Sequence, residues 1–477
     1  MIQSVEYVHK VSNDADQSLS PSVVRSTFPA GVSMMSLGHD ARRRMTHVSP
    51  RTYRLLLTCI LLFQLGAVAL VTRATLVALV GAHEGDWRIY ERYATRFLNG
   101  DLPYVSFAME YPPAAMIPLA LPALVLPEGA TSREYQASFF LFNVLWSVLV
   151  TLTVASTARV LRPDNPDRAA LGAAAGCALL FAASALIFPF RYDVFPLLMS
   201  MLGIRCALTR RPVASGLWLG LGVASKIYPG VFIPMVMIWF WRAKSEGLRA
   251  RPDGWRDAIK VGVCGALPLA VCLVPYVLLE TTAYLNFLRY HALRGLQIES
   301  VWAGVIMAGH RLGLTDAAVV HNYGAQHVNG AWAGWMLKVQ PVVSGIAILA
   351  VLIKAWRGMA PGRSDADRLK CFVNLSLAML LAFMAFNKVF STQFVVWPIG
   401  LVALASVTGN RRLPLLWFVV VLLTLHGFPY DYWGLVNMNP APVVALNARN
   451  ALVVLMLVLL CVGRRAERND QAATNSK

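Results

Sequence analysis

The sequence predicts an all-α protein that crosses a membrane many times. Hydrophobic residues make up 57% of the chain and charged residues 14%, whereas soluble domains contain about a quarter charged residues. Many apolar runs are long enough to span the roughly 30 Å of bilayer hydrocarbon as helices. The basic residues behind the net charge of +18 lie in short clusters between these runs. This pattern sets membrane orientation and does not indicate nucleic-acid binding.

Twelve apolar segments follow one another along the chain. They span residues 53–80, 136–158, 169–189, 194–209, 213–224, 228–241, 258–279, 335–353, 371–386, 391–408, 413–428 and 449–463. Segments 213–224 and 228–241 are short for a crossing and could instead form a re-entrant hairpin. The apolar stretch 114–127 is short and proline-rich, and we expect it to lie in the membrane interface as a helix.

The distribution of basic residues predicts the orientation. With the amino terminus in the cytoplasm, the inner loops contain 27 Lys and Arg residues and the outer loops 11, in agreement with the positive-inside rule. The difference holds only if 114–127 does not cross. This layout places both termini in the cytoplasm and two large loops, 81–135 and 280–334, on the outer face.

Composition also predicts how the chain divides. Its polar, Ser-rich first residues contain no apolar run, so they are expected to be a disordered cytoplasmic tail. The expected regions are a tail at 1–48, a membrane module at 49–280 that includes the loop 81–135, a second outer loop at 281–334, carboxy-terminal membrane helices at 335–465 and a disordered tail at 466–477. The seven cysteines lie in or beside apolar segments without metal-ligand spacing. They predict buried thiols, with no disulfide framework and no metal site.

Asp86 is the first candidate for chemistry, because it follows the first long apolar segment closely. A carboxylate at this boundary can act as a general base toward an acceptor hydroxyl. Asp is also a preferred N-cap, and a helix that starts near Trp87 could explain it equally well. His83 and Glu84 lie close by. Glu110 is a second carboxylate in this loop, although the prolines that follow suggest that it shapes a turn.

Basic residues in short breaks between apolar segments are suited to bind an anion, because ionisable groups near hydrocarbon are costly. Arg191 could hold an anion while Asp193 orients a sugar hydroxyl, or the two could pair with each other. Lys226 lies between two short half-helices, whose free N–H groups and dipoles favour a phosphate. Snorkelling is the alternative for Lys226.

Two more basic residues lie in later outer segments. Arg294 belongs to a polar run at 289–300 and could hold a phosphate with bidentate geometry, although the run could also be a solvated loop face. Lys388 lies in a polar hinge at 387–393 and suits a lipid phosphate or a snorkelling anchor. Cations for phosphate, a carboxylate and many aromatic residues on one outer face predict a site for a lipid-linked phospho-sugar.

The order of these motifs resembles glycosyltransferase family 87 of the GT-C superfamily. The motifs are Asp86 with Tyr90, Gly-Asp-Leu-Pro-Tyr at 100–104, Glu-Tyr-Pro-Pro at 110–113, Arg-Tyr-Asp at 191–193, Lys-Ile-Tyr-Pro at 226–229, Arg-Gly-Leu-Gln-Ile-Glu-Ser at 294–300 and Lys-Val-Phe-Ser-Thr-Gln-Phe at 388–394. The resemblance covers about residues 50–465. It implies a shared module of seven membrane helices and Asp86 as the catalytic base. With the twelve apolar segments, we expect a GT-C-like bundle of about 12 transmembrane helices with two structured outer loops. Thr392 departs from the pattern, which leads us to expect a proline.

The resemblance implies a membrane hexosyltransferase. We expect no cofactor, and a metal is not required because a phosphomonoester leaves well when it is paired with cations; whether the protein uses a metal stays open. It would move a sugar, mannose in the first instance, from a polyprenyl phosphate to a cell-envelope glycolipid or polysaccharide, with inversion. The residues expected to bind the donor phosphate are Lys226, Arg294, Lys388 and Arg191. The residues expected to position sugar or acceptor are Asp193, Tyr228, His291, Gln297, Glu299, Glu110, Tyr111 and Gln393.

Other functions remain open at this point. An arabinofuranosyltransferase of the same family would use the same motifs. A flippase or transporter of a lipid-linked saccharide would also need outer cations and aromatic residues, but it would not need Asp86 as a base. It should contain charged groups near the middle of the membrane or repeated halves, and we expect neither. A polysaccharide ligase that uses a diphosphate donor and a non-catalytic family member are further alternatives.

Overall fold

Long apolar helices make up most of the structure, a computed structural model that describes residues 48–79, 86–242 and 254–462. In chain order, its first helices are α1 (Pro50–Leu79), α2 (Trp87–Leu98), α3 (Met116–Leu124), α4 (Ser132–Leu161), α5 (Pro166–Ala183), α6 (Val194–Leu208), α7 (Pro212–Ser225), α8 (Phe232–Trp241) and α9 (Gly254–Leu279). The later elements are α10 (Thr281–Leu293), β1 (Leu296–Gln297), α11 (Val301–Arg311), β2 (Ala318–Asn322), β3 (Ala325–Asn329), α12 (Ala331–Gly358), α13 (Asp365–Phe386), α14 (Ile399–Val407), α15 (Leu413–Leu425), α16 (Tyr432–Val436) and α17 (Pro440–Val462).

The helices confirm an all-α, multi-pass membrane protein. Within the described ranges, seven helical stretches are long and apolar enough to cross a membrane, and five apolar stretches are shorter, at 10–17 residues. Together with α5, these stretches follow the order of the twelve predicted segments and the stretch 114–127, with boundaries that shift by a few residues in most cases. The largest shift is in α17, which begins at Pro440, whereas its apolar segment was expected to begin at 449. The predicted tails lie outside the described residues apart from Val48.

Two short helices, α7 and α8, meet at a break in the bundle. A 3₁₀ turn, Tyr228–Val231, leads into α8, and Lys226 lies between α7 and that turn. Helix α7 packs closely on α9, because a Cβ built at Gly216 would lie 2.7 Å from the carbonyl oxygen of Val261. The glycine therefore allows close helix packing, which holds α7 while the chain breaks after its end.

The stretch predicted as an interfacial helix is helical. It forms a 3₁₀ turn, Pro113–Ala115, followed by α3. The nine α-helical residues of α3 rise by about 13 Å, less than half the thickness of the hydrocarbon core. Most of α3 is buried against neighbouring helices of the first outer loop and α4. This length favours the layout without a crossing here, and the orientation itself remains a prediction.

The second predicted outer loop, 280–334, is more regular than expected. It contains α10, α11 and a three-stranded antiparallel sheet in the order β1–β3–β2. Leu296 pairs with Val328 and Gln297 with His327. The sheet and α11 enclose a separate apolar cluster that includes Ile306. This small lobe brings residues near 294 and 327 together.

Candidate active site

Asp86 pairs with Arg191, across more than 100 residues of chain. The carboxylate of Asp86 is in direct contact with the Arg191 guanidinium. Asp86 occupies the residue before α2, and its side chain makes no capping hydrogen bond there. The side chain of Arg191 is only 17% exposed. The structure therefore gives the Asp86 carboxylate an ion-pairing role that the N-cap explanation did not include.

Asp193 and Lys226 form a second ion pair beside the first. The Asp193 side chain is fully buried, and its Oδ1 lies 2.7 Å from the Lys226 Nζ. The same oxygen accepts a hydrogen bond from the indole N–H of Trp397 at 2.6 Å. Burial lowers the pKa of Lys226, and Asp193 offsets part of that change. Arg191 and Asp193 thus each have another partner, and the pairing between these neighbours that the sequence left open is not the one formed.

Aromatic rings pack beneath the two ion pairs. Tyr90, Tyr111 and Tyr192 contact one another edge to face, with centroid distances of 5.1–5.9 Å. Burial raises the pKa of each of these phenols, so they remain protonated. The Lys226 ammonium lies 4.6 Å from the centre of the Tyr192 ring. Tyr228 stacks on Trp397 at 4.1 Å.

Glu110 joins the two outer loops. The hydroxyl of Tyr290 lies 2.8 Å from the Glu110 carboxylate and 2.5 Å from the carbonyl oxygen of Tyr323. The His291 ring nitrogen Nε2 lies 2.9 Å from the Glu110 carbonyl oxygen. Burial lowers the pKa of His291. Two consecutive residues at the end of α10 therefore hold the loop that contains Glu110.

Arg294 and Lys388 form a positively charged group on the other side of His291. The Lys388 Nζ donates to the carbonyl oxygen of Ala292 at 2.9 Å, and the Arg294 Nε donates to His327 at 3.3 Å. Neither cation has a carboxylate within salt-bridge distance in the described part of the chain. Burial and the nearby Arg294 lower the pKa of Lys388. Of the four cations expected to bind the donor phosphate, Arg294 and Lys388 are the two without a carboxylate in salt-bridge contact among the described residues.

Glu299 organises a buried polar network next to these cations. Its carboxylate accepts hydrogen bonds from the Gln297 amide at 2.6 Å and from the Thr392 hydroxyl at 2.5 Å. Arg449, also buried, donates to the Glu299 carbonyl oxygen and lies 4.1 Å from the centre of the Phe390 ring. The network ties the 294–300 run to the 388–394 hinge and to α17.

Contacts therefore connect nearly all the predicted site residues into one group. The group contains Asp86, Glu110, Tyr111, Arg191, Asp193, Lys226, Tyr228, His291, Arg294, Gln297, Glu299 and Lys388. Gln393 lies in the adjoining 3₁₀ turn, Thr392–Val396, and is partly exposed. His83 and Glu84 lie outside the described residues.

Three contributors were not expected from the sequence. His327 enters the site only because β1 and β3 pair. Trp397 reaches Asp193 from an apolar segment, where a tryptophan carries no functional signal. Arg449 lies nine residues inside α17 and is 1% exposed. We expected no charged group deep in an apolar segment, and Arg449 shows that this expectation was wrong. The sequence signal that could have identified Arg449 is a single arginine within a hydrophobic run.

The described residues contain no group of three or more His, Cys, Asp or Glu side chains that could hold a metal ion. A groove of about 510 Å³ lies between the first outer loop and α9. Its lining is apolar, and Tyr276 at its edge contacts Tyr104 at a centroid distance of 5.2 Å. Tyr104 in turn donates to the Tyr111 carbonyl oxygen. Contacts through Tyr276 and Tyr104 thus link the lining of the groove to Tyr111 in the aromatic cluster.

Comparisons with known proteins point to one class. The model of glycosyltransferase family 87 matches residues 109–385, a stretch that includes Arg191, Lys226 and Arg294 but neither Asp86 nor Lys388. GPI mannosyltransferase 1 of Neurospora crassa is 26% identical over 214 residues, which are 41% of this chain and 41% of that protein. The chain thus spans about two-fifths of the length of this relative.

One match among solved structures has low similarity. It is the Archaeoglobus fulgidus oligosaccharyltransferase tethered to an acceptor peptide, at 12% sequence identity and a TM-score of 0.37. The match covers 84% of this chain and 55% of that one.

Proposed function

The chain belongs to glycosyltransferase family 87 of the GT-C superfamily, and from this premise we propose that it transfers a sugar from a polyprenyl phosphate to a cell-envelope glycolipid or polysaccharide. Mannose is the sugar we propose, which the name of the Neurospora crassa relative supports. The transfer would take place on the outer face of the membrane, where the charge distribution puts the large loops. Both termini would then be cytoplasmic.

One observation carries the proposal: the Asp86 carboxylate is 37% exposed and is paired with Arg191 instead of capping α2. An accessible carboxylate without a capping role is suited to act as a general base. In the proposed reaction, Asp86 takes the proton of the acceptor hydroxyl while the hydroxyl oxygen attacks the anomeric carbon. The bond from that carbon to the phosphate oxygen breaks, and its electron pair leaves with the lipid phosphate. Attack opposite the leaving group inverts the anomeric centre.

The ion pairs suggest different roles for the four basic residues expected to bind the donor phosphate. Lys226 is paired with a buried carboxylate, so we assign it to holding Asp193 and the break after α7. Arg294 and Lys388 lack such a partner among the described residues, and we assign the donor phosphate to them. Arg has a planar fork of donors that fits phosphate oxygens, and Lys adds a point charge. These cations would stabilise the negative charge that grows on the leaving phosphate.

Arg191 orients the catalytic base, Asp86, in this scheme. It contacts the Asp86 carboxylate, and the carboxylates of Asp193 and Glu299 also act on its charge. When an acceptor hydroxyl approaches Asp86, Arg191 would keep the carboxylate oriented. Glu110, Gln297 and the aromatic cluster would contact the sugars, because rings and amides suit the faces and hydroxyls of a saccharide.

The test is transfer by the purified protein in liposomes. Wild type, Asp86→Asn and Asp101→Asn would each receive radiolabelled polyprenyl-phosphate-mannose and a membrane glycolipid extract, and label in the product would be counted. Asp101→Asn is the matched control, because Asp101 also pairs with an arginine in this loop, Arg96, but lies outside the site. We expect transfer by wild type and by the control, and no transfer by Asp86→Asn.

Other outcomes would change the proposal. Equal transfer by Asp86→Asn would remove Asp86 as the base. If wild type transfers no mannose, the same assay with polyprenyl-phosphate-arabinose tests the arabinofuranosyl alternative. Label that crosses the liposome membrane without reaching an acceptor, in wild type and Asp86→Asn alike, would support a flippase instead. The buried Arg449 is the feature that keeps this alternative worth testing.

A further inference from the structure

We propose that His327 is a positioning residue that holds Arg294 in the orientation needed to bind an isoprenyl phosphate. The inference rests on the proposed function, since it deepens the assignment of Arg294 to the donor phosphate. It goes beyond that assignment in identifying a residue from a different strand that acts through the arginine. The argument depends on strand pairing, on hydrogen-bond chemistry and on local charge.

Strand pairing puts the imidazole beside Arg294. Gln297 in β1 is opposite His327 in β3, and Arg294 precedes β1 by two residues. The intervening Gly295 packs against the ring, because a Cβ built there would lie 3.4–3.5 Å from three side-chain atoms of His327. The His327 side chain is fully buried. Backbone pairing, and not chance proximity, therefore fixes the imidazole relative to the arginine.

The hydrogen bond determines the state of the imidazole. The Arg294 Nε lies 3.3 Å from the His327 Nε2, and a guanidinium can only donate. The Nε2 atom must therefore be unprotonated, so the ring is neutral with its proton on Nδ1. Burial and the nearby Arg294 lower the pKa of His327 to about 4. The imidazole is therefore neutral near pH 7, as a hydrogen-bond acceptor for Arg294 must be.

The hydrogen bond to His327 leaves the two terminal nitrogens of the Arg294 guanidinium without a protein partner among the described residues. Only the Nε of Arg294 has a protein hydrogen-bond partner within the described part of the chain. Its two terminal nitrogens remain available for a pair of phosphate oxygens, a geometry that arginine favours. Lys388 lies nearby, since its Nζ donates to the carbonyl oxygen of Ala292, two residues before Arg294, and the charge of Arg294 acts on it. Together they offer a fork and a point charge to one anion.

A neutral acceptor suits this task better than a carboxylate. A carboxylate at 327 would also orient Arg294, but it would neutralise the guanidinium and compete with the phosphate. A neutral imidazole orients the arginine and leaves its full charge for the ligand. Substitutions at 327 should therefore give an order of phosphate affinities that follows the acceptor and its charge. A residue that only packs against Arg294 would not produce this order.

The experiment measures binding by the full-length protein in detergent, with farnesyl phosphate and farnesol as the paired probes. His327→Gln retains a neutral acceptor, His327→Leu removes it and His327→Glu replaces it with a charged one. We expect His327→Gln to bind farnesyl phosphate within about threefold of wild type, and His327→Leu to bind about tenfold more weakly. His327→Glu should bind more weakly still, while farnesol affinity stays constant across the series.

A double-mutant comparison distinguishes positioning from packing. In an Arg294→Gln background, His327→Leu should cause no further loss of farnesyl phosphate affinity, because the group on which it acts is gone. An equal loss in both backgrounds, or a parallel loss of farnesol affinity, would overturn the inference. If His327→Leu does not fold, the order of His327→Gln and His327→Glu decides the question: equal affinity in these two also overturns it.

The binding assay and the transfer assay can overturn the two proposals separately. A wild type that transfers no sugar but shows the expected farnesyl phosphate series would overturn the proposed transferase and leave the isoprenyl phosphate site standing. A wild type that transfers sugar but shows no dependence on residue 327 would overturn the positioning role and leave the transferase standing.

Discussion

Arg191 forms its ion pair with Asp86, not with Asp193, although Asp193 is only two residues away along the chain. Asp193 pairs instead with Lys226. The four charged side chains thus form two neighbouring ion pairs. The residues come from three separate segments of the chain, near 86, 191–193 and 226. One consequence is that Arg294 and Lys388 are left without a carboxylate at salt-bridge distance among the described residues. Another is that each pair can be tested for its own role.

The first prediction concerns Arg191. Arg191→Gln should lower the rate of sugar transfer about tenfold or more, because Asp86 loses a charged hydrogen-bond partner that orients it. Arg191→Lys should fall between Gln and wild type, since lysine keeps the charge but not the planar fork. Initial rates in liposomes measure the effect. Arg96→Gln is the control, because it breaks the similar pair with Asp101 away from the site. Unchanged rates in Arg191→Gln would contradict the role assigned to it.

The second prediction concerns the buried pair of Asp193 and Lys226. Lys226→Met alone should destabilise the protein by about 3–5 kcal/mol, because Asp193 is left charged and buried without its partner. Combining Lys226→Met with Asp193→Asn should recover most of this loss. Thermal unfolding in detergent measures both.

The same double variant decides what Lys226 does. If the lysine only holds Asp193, the double variant should retain most of the transfer activity. A double variant that is as stable as wild type but does not transfer sugar would show that Lys226 acts on the donor, as the sequence suggested. Lys260→Met serves as the control, since Lys260 pairs with Asp257 at the start of α9 and is half exposed.

The membrane helices could be predicted because their signal is local. Length and hydrophobicity of a segment such as 258–279 are properties of adjacent residues, and α9 begins only four residues earlier than expected. The candidate side chains were also recognisable, since Asp86, Lys226 and Lys388 are ionisable residues near the ends of apolar runs. What a residue is and where its segment ends can be inferred without knowing the fold.

The partners of these side chains could not be predicted in the same way. Lys226 reaches Asp193 across 33 residues, and Trp397 reaches the same carboxylate across 204. Such pairs depend on how helices pack, about which the hydrophobic pattern contains no information. The sheet was missed because its strands have five residues or fewer and no clear alternation. His327 was missed with it.

The third prediction concerns Thr392, where the family pattern led us to expect a proline. The Thr392 hydroxyl donates to the buried Glu299 carboxylate. Thr392→Val should therefore destabilise the protein by about 1.5–3 kcal/mol, the range for hydrogen bonds to charged groups. Thr392→Pro should have nearly the same effect, because Thr392 is the first residue of its 3₁₀ turn, a position that accepts proline.

Thermal unfolding of the two variants side by side checks this. Thr392→Ser is the control that keeps the hydroxyl, and it should unfold close to wild type. A proline variant much less stable than the valine variant would mean that the backbone here does not tolerate proline. A proline variant as stable as wild type would mean that the hydroxyl bond to Glu299 contributes little.

The fourth prediction is a pH dependence of stability that His327 causes. Its pKa is lowered from 6.5 to about 4 in the folded protein. Below pH 6.5 the unfolded chain binds a proton at this residue, and the folded protein does not until about pH 4. Stability from this residue is therefore complete above pH 6.5 and is lost as the pH falls toward 4, by about 3 kcal/mol in all. His327→Gln removes the titrating group but keeps every other one.

The measurement is the difference in unfolding temperature between wild type and His327→Gln from pH 7.5 down to 4.5. Other titrating groups contribute to both proteins, so they cancel in the difference. Wild type should lose stability relative to the variant as the pH falls, because only its unfolded state gains the extra proton. A constant difference over this range would mean that His327 titrates near its ordinary pKa, in which case the ring could not remain a neutral acceptor for Arg294 in mildly acidic conditions.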